Sequence, residues 1–250
     1  PQIGFDCSGG SSAVGEEMKR TVIAIVNQKG GSGKSTTAVL LAKSFADAGK
    51  SVLLIDTDPQ GGSSELFKCR KTPGLFDALL GTHEASECTH TSEGLRIMPA
   101  DFRLDKIFTS ESPFALQELI KGIEADAIVF DTAPTMQGLT RSAILAADRV
   151  LIPSEVSETA FGPTQYTVEQ VRELKKKPEV MLSGYKKPAD LKGTAKELSE
   201  NFTKAFGSIL AGTLPRSMTA AKLATFRGKW SGKTRETIEQ PLLALYGGAK

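Results

Sequence analysis

Three cysteines, two histidines and one tryptophan are few for 250 residues. The cysteines, Cys7, Cys69 and Cys88, are odd in number and far apart. That excludes a disulfide framework and suits a reducing cytoplasm. No Cys-x-x-Cys pair occurs. His83, Cys88 and His90 lie near one another, but a zinc site needs three or four protein ligands and no matching pair stands elsewhere. They read as surface residues in a polar loop. No apolar run approaches the roughly 20 residues of a membrane span. Residues 1–20 lack the basic start and apolar core of a signal peptide.

What is present is ordinary for a globular chain: 40% hydrophobic and 24% charged residues. The length is enough for one large α/β domain with a sizeable core. Residues 1–17 are Gly/Ser-rich without hydrophobic period and read as a disordered tail or remnant, leaving 18–250 as the domain. The formal net charge of +2 hides an asymmetry. Residues 170–250 carry 16 Lys/Arg against 7 Asp/Glu, and residues 1–169 carry 15 against 22. A basic C-terminal third suits an anionic partner surface as well as it suits solvated helix faces.

The stretch that organises the chain runs from Asn27 through Gln28, Lys29, Gly30, Gly31, Ser32, Gly33, Lys34 and Ser35 to Thr36. A β-branched run, Thr21–Val26, precedes it, and a helical pattern, Ala38–Ala46, follows. Strand, glycine-rich loop and helix is the context a phosphate-binding loop requires. The glycines let backbone N–H groups approach a polyphosphate, and the helix N-terminus adds its dipole. Lys34 can bridge β- and γ-phosphates, and the Ser35 hydroxyl can ligate Mg²⁺.

Two further apolar strands end in acid. Ser51–Asp56 leads into Asp56-Thr57-Asp58-Pro59-Gln60-Gly61, and Ala127–Asp131 leads into Thr132-Ala133-Pro134. Open α/β sheets bind ligands at the carboxyl ends of such strands. Asp131 is placed to hold Mg²⁺ through a bound water. Asp58, before Pro59, suits a turn at least as well as catalysis. Gly61–Ser64 reads as a mobile loop.

The loop departs from the usual pattern: Gln28 stands where a glycine is common, and a second lysine, Lys29, precedes the paired glycines. This Lys-Gly-Gly-x-Gly-Lys-Ser form resembles the deviant Walker A loop of the ParA/MinD ATPases. The Asp-x-Asp-Pro-Gln-Gly run and the Asp131 motif follow in that family's order. The resemblance implies a single α/β domain of P-loop NTPase type, with a mostly parallel sheet and helices on both faces. It implies ATP and Mg²⁺ as ligands and hydrolysis of ATP by water. Asp56 would position that water, Thr36 would contact the α-phosphate, and Lys29 would reach the partner's nucleotide in an ATP-dependent homodimer. It also implies a ParB-like stimulating partner and nonspecific DNA as the surface bound. Leu214-Pro215-Arg216 resembles the turn near the adenine, which makes Pro215 a nucleotide contact. Arg216, Lys222, Arg227 and Lys229 are then the candidate DNA contacts. Phe226 and Trp230, interleaved with them, suit core packing better than base stacking.

Helices are expected over 103–108, 113–123, 138–147, 162–176 and 190–206, and strands over 94–100, 149–153 and 207–214. The strand near Val180-Met181-Leu182 reads as shortened or absent, which puts the base pocket in doubt. The final stretch, 236–245, lacks the Lys/Arg-rich amphipathic character of a membrane-targeting tail. Two alternatives stay open: a positioning protein for a protein cargo or organelle, and a nucleotide-binding paralogue with slow or no turnover.

Overall fold

The computed structural model describes residues 20–69, 72–92, 94–107 and 113–214. Eight strands form one sheet: β1 (Thr21–Ile25), β2 (Val52–Asp56), β3 (His90–Ser92), β4 (Leu95–Met98), β5 (Ala127–Asp131), β6 (Arg149–Glu155), β7 (Pro178–Ser183) and β8 (Leu210–Leu214). Their order across the sheet is β3-β4-β2-β5-β1-β6-β7-β8. Every neighbouring pair is parallel except β3 with β4. The helices are α1 (Lys34–Asp47), α2 (Gly62–Leu66), α3 (Leu75–Leu79), α4 (Ala115–Leu119), α5 (Leu139–Ala146), α6 (Glu158–Glu173) and α7 (Gly193–Phe206).

The central strands are apolar at consecutive positions because both faces are covered. Along β1, Val22 and Ala24 enter one core cluster, while Ile23 and Ile25 enter the other. Leu53 and Ile55 of β2 alternate with Leu54 in the same way. One face packs on α1 through Ala38, Leu41 and Phe45. The opposite face packs on α4, α5, α6 and α7 through residues such as Leu116, Ile144, Val171 and Phe202. Each fully buried Ile or Leu contributes about 1.5–3 kcal/mol. The strands that end in the phosphate loop, Asp56 and Asp131 are thus buried along almost their whole length.

Several expectations need correcting. β7 is a full six-residue strand paired on both sides. Its first residue is Pro178, where a missing N–H is tolerated. Its Glu179 is matched by Arg149 of β6, whose Nε donates at 2.7 Å. Gly61–Ser64 is not an open loop: α2 begins at Gly62, and Ser63 and Ser64 are fully buried. α6 begins at Glu158, four residues before expectation, and carries Gly162 and Pro163 inside it. Phe161 holds that first part down, its ring 5.2 Å from Phe202 and 5.6 Å from Phe206. Cys88 is a core residue rather than a surface one. His90 opens the short antiparallel strand β3, and its Nε2 lies 2.7 Å from the Pro73 carbonyl. The expected helices over 103–108 and 113–123 are shorter, with 3-10 turns at 102–106 and 120–122.

Among the described residues no helix is long and apolar enough to cross a membrane. The 1–17 segment, Pro215, Arg216, Lys222, Phe226, Arg227, Lys229 and Trp230 lie outside the described residues.

Candidate phosphate and cation site

The strand order places the ends of β2, β5, β1 and β6 side by side at one sheet edge. The phosphate loop leaves β1 there and turns into α1. Gly31 and Gly33 take left-handed φ values of 73° and 88°, a region costly for other residues. A Cβ built on Gly30, Gly31 or Gly33 meets nothing within 4 Å. The loop is therefore an open cradle of backbone N–H groups at the head of a 14-residue helix.

Polar contacts fix the root of the cradle. Buried Asn27 donates through Nδ2 to the Pro153 carbonyl at 3.0 Å and accepts from the Lys29 N–H at 2.9 Å. The Gln28 N–H donates to Thr167 Oγ1 of α6 at 3.3 Å. Lys34 lies over the loop, its Nζ 3.3 Å from the Lys29 carbonyl. Burial lowers its pKa, partly offset by Asp131 and then Asp58. Lys29 points elsewhere: its Nζ is 2.9 Å from Glu155 Oε1 and 2.9 Å from Thr159 Oγ1.

Asp56 and Asp131 are register partners on adjacent strands, and both are fully buried. Both Asp131 oxygens lack hydrogen-bond partners, although the Ser35 and Ser63 hydroxyls face them. Burial, then repulsion from Asp56, pushes the Asp131 pKa up to about 8. Asp56 is raised by burial too, against the hydrogen bonds it receives. Two buried carboxyls and a loop hydroxyl are hard oxygen donors of the type Mg²⁺ takes. A divalent ion here would reverse the penalty that holds Asp131 protonated. The residues fit that ion. Among the described residues no three His, Cys, Asp or Glu are grouped closely enough to hold the ion by themselves, which leaves positions for phosphate and water oxygens.

Asp56 is the residue the family resemblance assigns to the attacking water. Its Oδ2 receives Ser64 Oγ at 2.7 Å and the Ser64 N–H at 2.8 Å, and its Oδ1 receives the Asp58 N–H at 3.1 Å. Asp58 is half-buried, and one oxygen accepts from the Gln60 N–H at 2.9 Å. Its other oxygen makes no hydrogen bond to the described residues. The structure thus brings together Lys34, Ser35, Asp56, Asp58 and Asp131, while Lys29 sits beside this group.

Sequence reasoning passed over Glu155 and Thr159, named Asn27 only as the start of the loop, and took Ser63 and Ser64 as part of a mobile loop. Glu155 carried a readable signal, an acid at the carboxyl end of a central strand. Ser63 and Ser64 carried none, because their burial depends on α2 folding against the loop.

The sequence model of a family described as an AAA domain matches residues 20–183. The chain is 35% identical over 168 residues to the chromosome partitioning protein ParA of Caulobacter vibrioides, covering 60% of this chain and 63% of that one. It is 34% identical over 155 residues to the chromosome-partitioning ATPase Soj of Thermus thermophilus, covering 60% and 62%. The match thus spans less than two thirds of either relative. The fold is similar to that of Cyanothece McdA in an ATP complex, with a TM-score of 0.79 at 18% identity over 92% of this chain and 96% of that one.

Proposed function

Because this chain belongs to the ParA/MinD-type P-loop ATPases, we propose that it is an ATP-hydrolysing switch for DNA partitioning. The observation that carries this reading is the convergence of Ser35, Asp56 and Asp131 beneath a loop that already presents Lys34. Loop N–H groups of Gly30, Gly31, Ser32 and Gly33 and the Lys34 ammonium bind the phosphates and stabilise charge on them during transfer. Thr36 contacts the α-phosphate. Ser35 and Asp131 are the residues that would hold Mg²⁺, which when bound would neutralise charge on the phosphate oxygens.

Asp56 is too enclosed to reach substrate water, so its carboxyl serves the cation side of the site. Asp58, half-buried and with an oxygen to spare, orients the attacking water. Lys29 completes the nucleotide site of a second copy, so Mg-ATP drives dimerisation. The dimer joins two basic surfaces, with Arg216, Lys222, Arg227 and Lys229 as contacts to DNA phosphates and Pro215 beside the base. Such binding gains by avidity and weakens steeply with salt. A ParB-like partner stimulates hydrolysis and releases the dimer. The protein is then cytoplasmic, and on the nucleoid when it holds ATP.

Two experiments test this. ATP turnover of wild type equal to that of Lys34→Ala would remove the enzyme reading. Turnover lost in Asp58→Ala while nucleotide binding persists is the result expected for the water-orienting role. Binding to a nonspecific duplex is measured with no nucleotide, ADP, or ATP plus Mg²⁺, in wild type and Lys29→Ala. Binding only with ATP, lost in Lys29→Ala, supports the partition switch. Equal binding in every state makes the basic third a passive patch, and no binding in any state moves the cargo to a protein assembly.

A further inference from the structure

Four buried side-chain polar atoms lack any partner among the described residues: Ser32 Oγ, Ser63 Oγ and the two Asp131 carboxyl oxygens. Three of the four meet at one place. Ser63 is fully buried on the first turn of α2, and its hydroxyl faces both Asp56 and Asp131. Leaving such a group unsatisfied costs about 1–3 kcal/mol. Native interiors keep few such groups, and each needs a reason.

The neighbouring residues say what the reason is. Gly62 lies so close to the phosphate loop that a Cβ there would sit 2.6 Å from Ser35 Oγ and 3.3 Å from Ser35 Cβ. The same Cβ would be 3.8 Å from Asp131 Oδ2. The absence of a side chain at 62 thus lets α2 press its first turn against the cation-holding hydroxyl. Ser64, next along, is fully spent: it donates twice to Asp56 and accepts from the Ala100 N–H at 3.1 Å. Ser63 differs from Ser64 in that its hydroxyl completes no hydrogen bond of full geometry, although it is aimed at both carboxyls.

We propose that Ser63 is a positioning residue of the divalent-cation site, its hydroxyl holding a water of the ion's shell against Asp56 and Asp131. The inference rests on the Mg²⁺ site proposed above. Mg²⁺ dehydrates reluctantly and keeps several waters, so a buried site for it must satisfy those waters as well as the ion. Outer partners of this kind tune metal affinity by 10–100-fold. A consequence follows for the segment 58–66. Ser63 and Ser64 are consecutive, so the cation and Asp56 hold the same helix turn, and occupancy of the ion site fixes the segment that carries Asp58.

The test is Mn²⁺ binding to the full chain with equimolar ADP, read from loss of the free-ion paramagnetic resonance signal. Ser63→Ala is expected to weaken Mn²⁺ by about tenfold or more, and Ser63→Thr, which keeps the hydroxyl, to recover most of it. Without metal, Ser63→Ala melts close to wild type, because the hydroxyl it removes completes no hydrogen bond of full geometry. Mn²⁺ affinity within twofold of wild type in Ser63→Ala overturns the inference. Ser35→Ala separates this from the parent reading. If Ser35→Ala weakens Mn²⁺ and Ser63→Ala does not, only the role of Ser63 fails. If neither changes it, or wild type binds no Mn²⁺, the cation site itself fails.

Discussion

Replacing Asp131 with asparagine is expected to stabilise the ligand-free protein while removing its Mg²⁺-dependent chemistry. The carboxyl is fully buried, its oxygens are unpartnered, and its pKa is pushed up to about 8 by burial and then by Asp56. The folded protein therefore keeps a proton that the unfolded chain releases near pH 4. Between about pH 4 and pH 8 the unfolded state binds fewer protons, so stability falls as pH rises through that window. Moving a carboxyl from 3.8 to about 8 sets a ceiling of about 6 kcal/mol at pH 8. Asp131 and Asp56 titrate as a pair, so the shift is not Asp131's alone and the gain falls below that ceiling, on the order of 3 kcal/mol. For a chain of this size that is roughly 6–12 °C in melting temperature. The assay is a thermal melt at pH 5 and pH 8 with nucleotide and metal removed. The advantage of Asp131→Asn should be several times larger at pH 8 and should vanish when Mg²⁺ and nucleotide are added to wild type alone. An Asp131→Asn protein that melts below wild type at pH 8, or by the same margin at both pH values, refutes the reasoning.

Gly62→Ala places a methyl 2.6 Å from Ser35 Oγ. A loss of about 1–3 kcal/mol in a melt is expected from overpacking, together with weaker Mn²⁺ binding. Cys88 is fully buried, and burial pushes its thiol up to about 11. It should resist a thiol-reactive disulfide reagent at pH 8 until denaturant unfolds the chain, and fast reaction in the native state would contradict its core placement. Phe202→Ala removes a buried ring that meets Phe161 edge-on at 5.2 Å. A loss of about 3–5 kcal/mol in a denaturant titration is expected, with α6 loosened from α7.

The parts legible in the sequence were those set by local rules. A β-branched run, paired glycines and a helical pattern are contiguous in the chain, so the phosphate loop could be read without knowing what packs around it. Asp56 and Asp131 were legible as strand ends, and their register pairing follows from two parallel strands ending level. β7 was underread because Pro178 and Glu179 look unlike strand, and the Arg149 that matches Glu179 lies 30 residues away. α2 was underread because Gly61-Gly62 signals a flexible turn, whereas Gly62 is there for close approach to Ser35. Cys88 was misread because a polar neighbourhood hides a residue whose burial depends on tertiary packing. A motif places two acids at a sheet edge, and hydrogen-bond partners then tell which of Asp56 and Asp58 keeps an oxygen free.

The two loop lysines are committed to different surfaces, and this bears on why nucleotide should govern assembly. Lys34 lies over its own cradle and feels Asp131 and Asp58. Lys29 is held off that cradle by Glu155 and Thr159, at 2.9 Å each. The pair with Glu155 is partly exposed, 20% and 32% for the two side chains, so its net worth is about 1 kcal/mol or less. A polyphosphate across a two-fold axis offers several negative charges in a site that assembly dries, where each contact is stronger than in water. On the proposed role, moving Lys29 from Glu155 to such a phosphate would be favourable once nucleotide is bound. Without nucleotide, two loops with two lysines each would meet as like charges, and keeping each Lys29 on its own Glu155 is the lower state. If Lys29 reaches the terminal phosphate of a second copy as proposed, ATP should assemble dimers more tightly than ADP. Equal assembly with both nucleotides in sedimentation would contradict this account of Lys29.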